Sequence, residues 1–313
     1  MPLTKIRTSW RPRALRRIWT LGGLSLLTTT VSHAAGLIDR FTDDMAGMTE
    51  FFETILPGTL KQHNMVLDFT PKAGDLLNQE FIRYPLQIRY GYSEQLELFT
   101  GFTPFSPNPF LHGKDHRWGL GEYRFGARYE TKSGFWIFDQ ATVGLENRVP
   151  LGNAPVDVID GYTHVRPYFT ATRQLDIPDT KFFMTLSYDR SFNTPSRDRP
   201  TDPDAPREHI AEFAPGILYK PGIYGYFFEY DFQHIDEVGG YRLLHGQKLG
   251  VIWDVPRERS RRWHLPGKWQ IELAGRVIEE ESRGTSVGIV THVRVRTSLR
   301  EVLGPHAPRG RTP

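Results

Sequence analysis

His112 and His116 bracket Lys114 and Asp115 in the stretch LHGKDH. Two imidazoles and a carboxylate are ligands that zinc accepts. The stretch is hydrophilic and reads as a solvated loop, so no metal site is expected. Glu279, Glu280 and Glu281 offer oxygen ligands of the kind calcium takes, but three consecutive acids at a strand end read as an exposed turn. Ser286 and His292 share one strand face, yet six residues of extended chain separate them by ~20 Å. A nucleophile and its base must be within hydrogen-bond reach. Gly119 and Gly121 lie inside an alternating segment, not between a strand and a helix, so they are not a dinucleotide loop. No cofactor, metal or catalytic residue is expected, and the chain is read as a non-enzyme.

A larger set of reactive groups recurs with period two. Arg83, Arg89, Glu97, Glu122, Arg124, Arg128, Glu229, Asp231, Lys268, Glu272, Arg276, Arg294 and Arg296 each alternate with apolar or aromatic neighbours. In RYPLQIRYGYSEQLELFTGF, Leu86, Ile88, Tyr90 and then Leu96 and Leu98 take one face, while Arg89 and Glu97 take the other. Acids and bases interleaved on one side of long strands suit a lumen in which charges pair with each other, since charge away from water needs a partner. These thirteen residues are the expected lumen lining.

The elements that must carry them are strands. From residue 64 onward twelve alternating segments follow, approximately 64–70, 80–91, 94–103, 117–131, 134–149, 163–175, 180–191, 208–220, 222–235, 241–255, 267–278 and 284–297. Most run ten residues or more, longer than strands of soluble sheets and matched to the ~9–11 residues a tilted strand needs to cross hydrocarbon. Links between them alternate: Tyr92-Ser93 is short, PFSPNPFLHGKDH long, TKSG short, PLGNAPVDVIDGY long, DIPDT short, FNTPSRDRPTDPDAPR long, Lys220-Pro221-Gly222 short. Outer-membrane barrels have short periplasmic turns and long outer loops. The closing links, DEVGG and PRERSRRWHLPG, break the rule.

Residues 1–34 read as a signal peptide. Lys5, Arg7, Arg11, Arg13, Arg16 and Arg17 precede an apolar run ending at Val31, and Ser32-His33-Ala34 offers a cleavage site. The run is shorter than the ~20 residues of a membrane helix. Removing six positive charges takes the formal net charge from +3 to −3, so the basic pI implies no nucleic-acid partner. Cysteine is absent, which excludes disulfides and thiolate metal sites. Residues 35–63 form an N-terminal segment: Leu37, Phe41, Met45, Met48, Phe52 and Ile55 recur at helical spacing over 37–56, and Pro57-Gly58 ends the helix. Such a helix packs on its own domain, or plugs one end of a barrel. Residues 64–297 are the barrel, and 298–313 a C-terminal tail.

Arg89-Tyr90-Gly91, a short turn, Glu97-Leu98 with Gly101, and Gly119-Leu120-Gly121-Glu122 opening a long strand resemble the outer-membrane family linked to the meta-pathway of phenol degradation. The likeness covers roughly residues 80 to 235. It implies an outer-membrane barrel with a transport role for hydrophobic or aromatic compounds, and it brings no catalytic or ligand residues. Barrel strands commonly end on a terminal aromatic read by the barrel-assembly machinery. Here SLREVLGPHAPRGRTP, which has none, follows the last strand.

The expectation is therefore an all-β, antiparallel transmembrane β-barrel of about twelve strands in the bacterial outer membrane. It would pass a small-molecule solute, with membrane lipid, lipopolysaccharide and the assembly machinery as partners. The arginine-rich 257–262 run reads as a solvated loop, or as a site for acidic headgroups or lipopolysaccharide phosphates. Two alternatives fit the same alternation: an outer-membrane enzyme acting on lipid, and a soluble periplasmic β-sandwich that binds a ligand.

Overall fold

A computed structural model describes residues 50–51, 54–73, 81–109, 117–131, 135–151, 154, 161–192, 209–237, 240–281 and 284–297. A small two-stranded antiparallel sheet, β1 (Glu50–Phe51) and β2 (Thr54–Ile55), precedes the barrel in the chain. The barrel strands are β3 (Met65–Phe69), β4 (Lys72–Ala73), β5 (Phe81–Arg83), β6 (Leu86–Gly91), β7 (Leu96–Pro107), β8 (Gly119–Thr131), β9 (Gln140–Pro150) and β10 (Thr163–Gln174). They continue as β11 (Thr180–Phe192), β12 (His209–Tyr219), β13 (Tyr224–Glu237), β14 (Gly240–Val255), β15 (Lys268–Glu280) and β16 (Gly284–Thr297).

Each strand pairs antiparallel with its neighbours, and β16 pairs with β15 on one side and with β3 and β4 on the other. The sheet therefore closes on itself. β3 with β4, and β5 with β6, act as single staves interrupted at Thr70-Pro71 and Tyr84-Pro85, where proline lacks the N–H a ladder needs. Counted as staves, this is a closed antiparallel β-barrel of twelve strands. Closure overturns the sandwich alternative, because one sheet without free edges leaves no second sheet to pack against.

The alternation sorts side chains between two environments. Along β7, Glu97 is 0% exposed while Leu98 and Phe102 are 41% and 45% exposed. The same parity exposes Phe125, Leu186, Phe213, Phe228, Val251 and Leu273, which face away from the barrel axis. An apolar exterior around a polar interior is the arrangement of a transmembrane barrel. Exposed aromatic residues mark both ends of this belt: Tyr129, Tyr219, Tyr224 and Tyr226 at the short-turn end, Tyr188, Phe192 and Tyr241 at the other.

Several expectations need correction. Glu50–Phe51 and Thr54–Ile55 are extended and paired where the 37–56 helix was expected; residues 37–49 and 52–53 lie outside the described residues. The fifth stave begins at Gln140, not at 134, because Phe135 and Phe138 bond each other across a tight turn with Trp136 at φ 58°. The two irregular closing links do not alter the strand count. The long one carries α1 (Arg257–Arg262), a single helical stretch where a loop was expected.

Candidate functional site

Inside the barrel the charges form buried chains. Arg89 meets both oxygens of Glu97 at 2.7 Å in a bidentate pair. Its remaining nitrogen, Nη1, lies 3.1 Å from Asp68. Glu97 also takes Arg128 at 2.7 Å, and Asp68 takes Arg296 at 2.8 Å. This chain crosses the closing seam, where β16 and β3 share only the register pairs Val295↔Phe69, Arg296↔Asp68 and Thr297↔Leu67. Side-chain ion pairs thus reinforce the barrel where its backbone ladder is shortest.

Two further groups continue around the wall. Arg124 bonds Glu122 and Arg148 bonds Asp189, which also meets His164 Nδ1 at 2.7 Å; Arg166 and Ser187 both donate to Glu212. Lys248 Nζ lies 2.9 Å from Glu229. Glu272, fully buried, sits between His292 at 3.5 Å and Arg294 at 3.7 Å. Apart from Glu272, whose oxygens meet His292 and Arg294 only beyond hydrogen-bond geometry, each of these charges is hydrogen-bonded to a fixed partner, which suits a charged lining more than proton transfer.

Of the expected lining residues, Arg89, Glu97, Glu122, Arg128, Glu229, Asp231, Glu272, Arg294 and Arg296 are buried. Arg83, Arg124, Lys268 and Arg276 are half-buried. The sequence reading missed Asp68, Glu146, Arg148, His164, Arg166, Asp189, Glu212, Lys248 and His292. Asp68 sits in the five-residue strand MVLDF, too short to display a period. Glu146 and Arg148 do alternate with Val143 and Leu145, and beginning that stave at 134 blurred the pattern.

The lumen also holds part of the chain itself. Residues 56–60 run into the short-turn end as a strap. Gly58 N–H donates to Thr142 Oγ1 at 3.1 Å, Thr59 N–H and Oγ1 donate to Glu130 at 2.8 Å, and Leu60 N–H donates to Glu97 at 2.8 Å. The strap's other end, Leu56, packs with Phe183, Leu218, Phe227, Ile252, Ala274 and Val290 from β11 to β16. Rings on this wall lie flat because glycines face them: a Cβ at Gly216 would come within 2.2 Å of Phe183, and one at Gly250 within 2.5 Å of Phe227. Beside the strap is a cavity of about 700 Å³. Leu56, Phe183 and Leu218 form its apolar side, and Glu130, Lys181 and Lys220 its charged side.

Among the described residues the Ser, His and Glu groups that could do chemistry do not come together. Ser286 is exposed and six residues from His292 along β16. Ser191 Oγ lies 3.4 Å from His209 Nδ1, but that nitrogen accepts the Ser191 N–H at 3.2 Å and Ser191 is fully buried. Glu280 is bound to Arg242 at 2.9 Å. Among the described residues no group of three or more His, Cys, Asp or Glu could hold a metal ion; His112 and His116 lie outside them.

No protein-family model matches the sequence, and no curated protein matches it. Solved structures with a similar course of chain include the KdgM porin, 14% identical over 75% of this chain and 99% of that one, at a TM-score of 0.42. The NanC porin is 9% identical over 75% of this chain and 100% of its own, with a TM-score of 0.43. The COG4313 outer membrane channel from Pseudomonas putida F1 is 9% identical over 82% of this chain and 98% of its own, with a TM-score of 0.48.

Proposed function

We propose that this protein is an outer-membrane channel for small molecules, narrowed at its periplasmic end by the strap of residues 56–60. The observation that carries the proposal is a closed barrel with an apolar exterior and an ion-paired interior that its own chain enters. The short-turn end, where the strap enters, is the periplasmic end by the usual loop asymmetry. Fixed charges on the wall would select solutes by size and charge, as in other pores. The interior arginines, acids and Lys248 would line the path.

The amphipathic cavity beside the strap supports solutes with an apolar body and a polar group, in keeping with the resemblance to the phenol meta-pathway family. Its volume of about 700 Å³ falls within the ~300–1,000 Å³ of small-molecule sites. Most of the wall charges described above are engaged with each other, which supports a passive role over an enzymatic one.

Planar-bilayer conductance tests the reading. The wild-type protein should form small channels, and the triple variant L56G/T59A/L60G should raise conductance several-fold by releasing the strap. A barrel that migrates faster unboiled than boiled in SDS, yet shows no conductance in either form, would end the channel proposal.

A further inference from the structure

α1 and the strand ends flanking it concentrate cations and indoles on one rim of the barrel. Arg257, Arg259, Arg261 and Arg262 are all exposed, with Glu258 the single acid in the helix. Arg261 and Arg262 form no ion pair among the described residues. The Arg259 guanidinium lies 5.7 Å from the ring centroid of Trp253, near the end of β14. The Trp253 indole N–H beneath it is buried and meets no acceptor among the described residues. Trp263, at the helix end, is half exposed, and Trp269 opens β15 with its N–H donated to Pro266 O at 2.8 Å.

Height along the barrel gives this cluster its meaning. Trp253 is in register with Tyr224 and Ile271, and Trp269 with Val255 and Val295, so both indoles lie on the outward-facing parity at the level of the Tyr219, Tyr224 and Tyr226 girdle. Aromatic girdles sit at the headgroup boundary. α1 therefore holds its arginines at the headgroup plane of the short-turn side. Among the described residues, the other links on this rim carry little positive charge: Glu94 in one, Asp176 and Asp179 in another, Lys220 in a third. Lys220 is itself paired with Asp254 at 2.6 Å.

We infer that α1 with Trp253 and Trp263 forms a binding site for an anionic phospholipid of the periplasmic leaflet. The phosphodiester would sit against Arg259, Arg261 and Arg262, with the acyl chains along the outward face of β14 and β15. Charge complementarity carries the choice of occupant: a monoanionic headgroup meets several cations and one acid, at the depth where indoles favour the interface. The inference rests on the membrane-spanning reading of the barrel. It differs from the lipopolysaccharide option, because α1 lies on the side opposite the long loops.

Full-length protein in nanodiscs of equal phosphatidylglycerol and phosphatidylcholine, released for native mass spectrometry, tests the site. The wild type should retain phosphatidylglycerol in excess. R261Q should reduce that excess about five-fold, the factor for ~1 kcal/mol per interfacial arginine, and R259Q/R261Q/R262Q should abolish it. R190Q, whose arginine lies 5.2 Å over Phe192 on the opposite rim, should leave it unchanged. Equal retention of both lipids by the wild type, or an unaltered preference in the triple variant, overturns the site. A chain that fails to enter nanodiscs as a heat-modifiable barrel would remove the membrane reading and the lipid site together.

Discussion

The two walls of the lumen hold the same strap by opposite means. On the side of β3, β6, β7 and β8, Asp68, Arg89, Glu97 and Arg128 form a continuous buried ion chain, and Glu97 accepts the N–H of Leu60. On the side of β11 to β15, Phe183, Leu218, Phe227 and Ile252 form an apolar surface that receives Leu56. The Thr59 and Leu60 N–H groups thus go to carboxylates, the Gly58 N–H to the Thr142 hydroxyl, and Leu56 to grease. Reversing it would set Leu56 against carboxylates and leave N–H groups facing rings, so the asymmetry of the walls specifies its direction.

This contrast predicts unequal responses to substitution. The largest belongs to the ionic wall. Glu97→Ala would leave Arg89 and Arg128 buried without their shared acid and free the strap at Leu60, at a cost of about 3–5 kcal/mol. Heating the unboiled protein in SDS should convert it to the slow-migrating form about 10 °C below the wild type. An unchanged transition would mean that the ion chain adds nothing to the fold. The apolar wall should respond through packing. In Gly250→Ala the new Cβ would lie 2.5 Å from the Phe227 ring and 2.6 Å from Leu273 O. Overpacking of this kind costs about 1–3 kcal/mol. Urea titration of the reconstituted barrel should show that loss, together with an altered conductance as Phe227 is pushed into the lumen.

The smallest effect is expected at the mouth. Lys220 and Asp254 form an ion pair whose side chains are 26% and 39% exposed. Solvent-exposed pairs of this type contribute at most ~1 kcal/mol. Lys220→Ala should therefore leave the melting transition within error while shifting ion selectivity through the vestibule charge. A large loss of stability there would show that the mouth, not the seam, holds the barrel together.

Much of the architecture is legible in the sequence. Strands such as Tyr224–Glu237 and Lys268–Glu280 keep one parity for their whole length, because each face meets a single environment. Their inward charges could be named one by one. Legibility failed where the period was interrupted by local chemistry: the prolines at 71 and 85 cut two staves into short pieces, and the Phe135–Phe138 turn extended an apolar run beyond its strand. At Glu50–Phe51 and Thr54–Ile55 helical spacing suggested a helix where the residues are extended and paired.

Alternation, strand length and loop asymmetry are properties of neighbouring residues, so the sequence by itself determined a twelve-stave sheet with one apolar and one charged face. Which charges meet depends on strands far apart in the chain. Asp68 and Arg296 are separated by 228 positions and become partners only when the sheet closes. The strap is of the same kind: nothing local in residues 56–60 distinguishes a linker from an insert. A closed lumen, carboxylates on one wall and rings on the other decided it, because a buried N–H must find an acceptor and a buried leucine must find apolar contact.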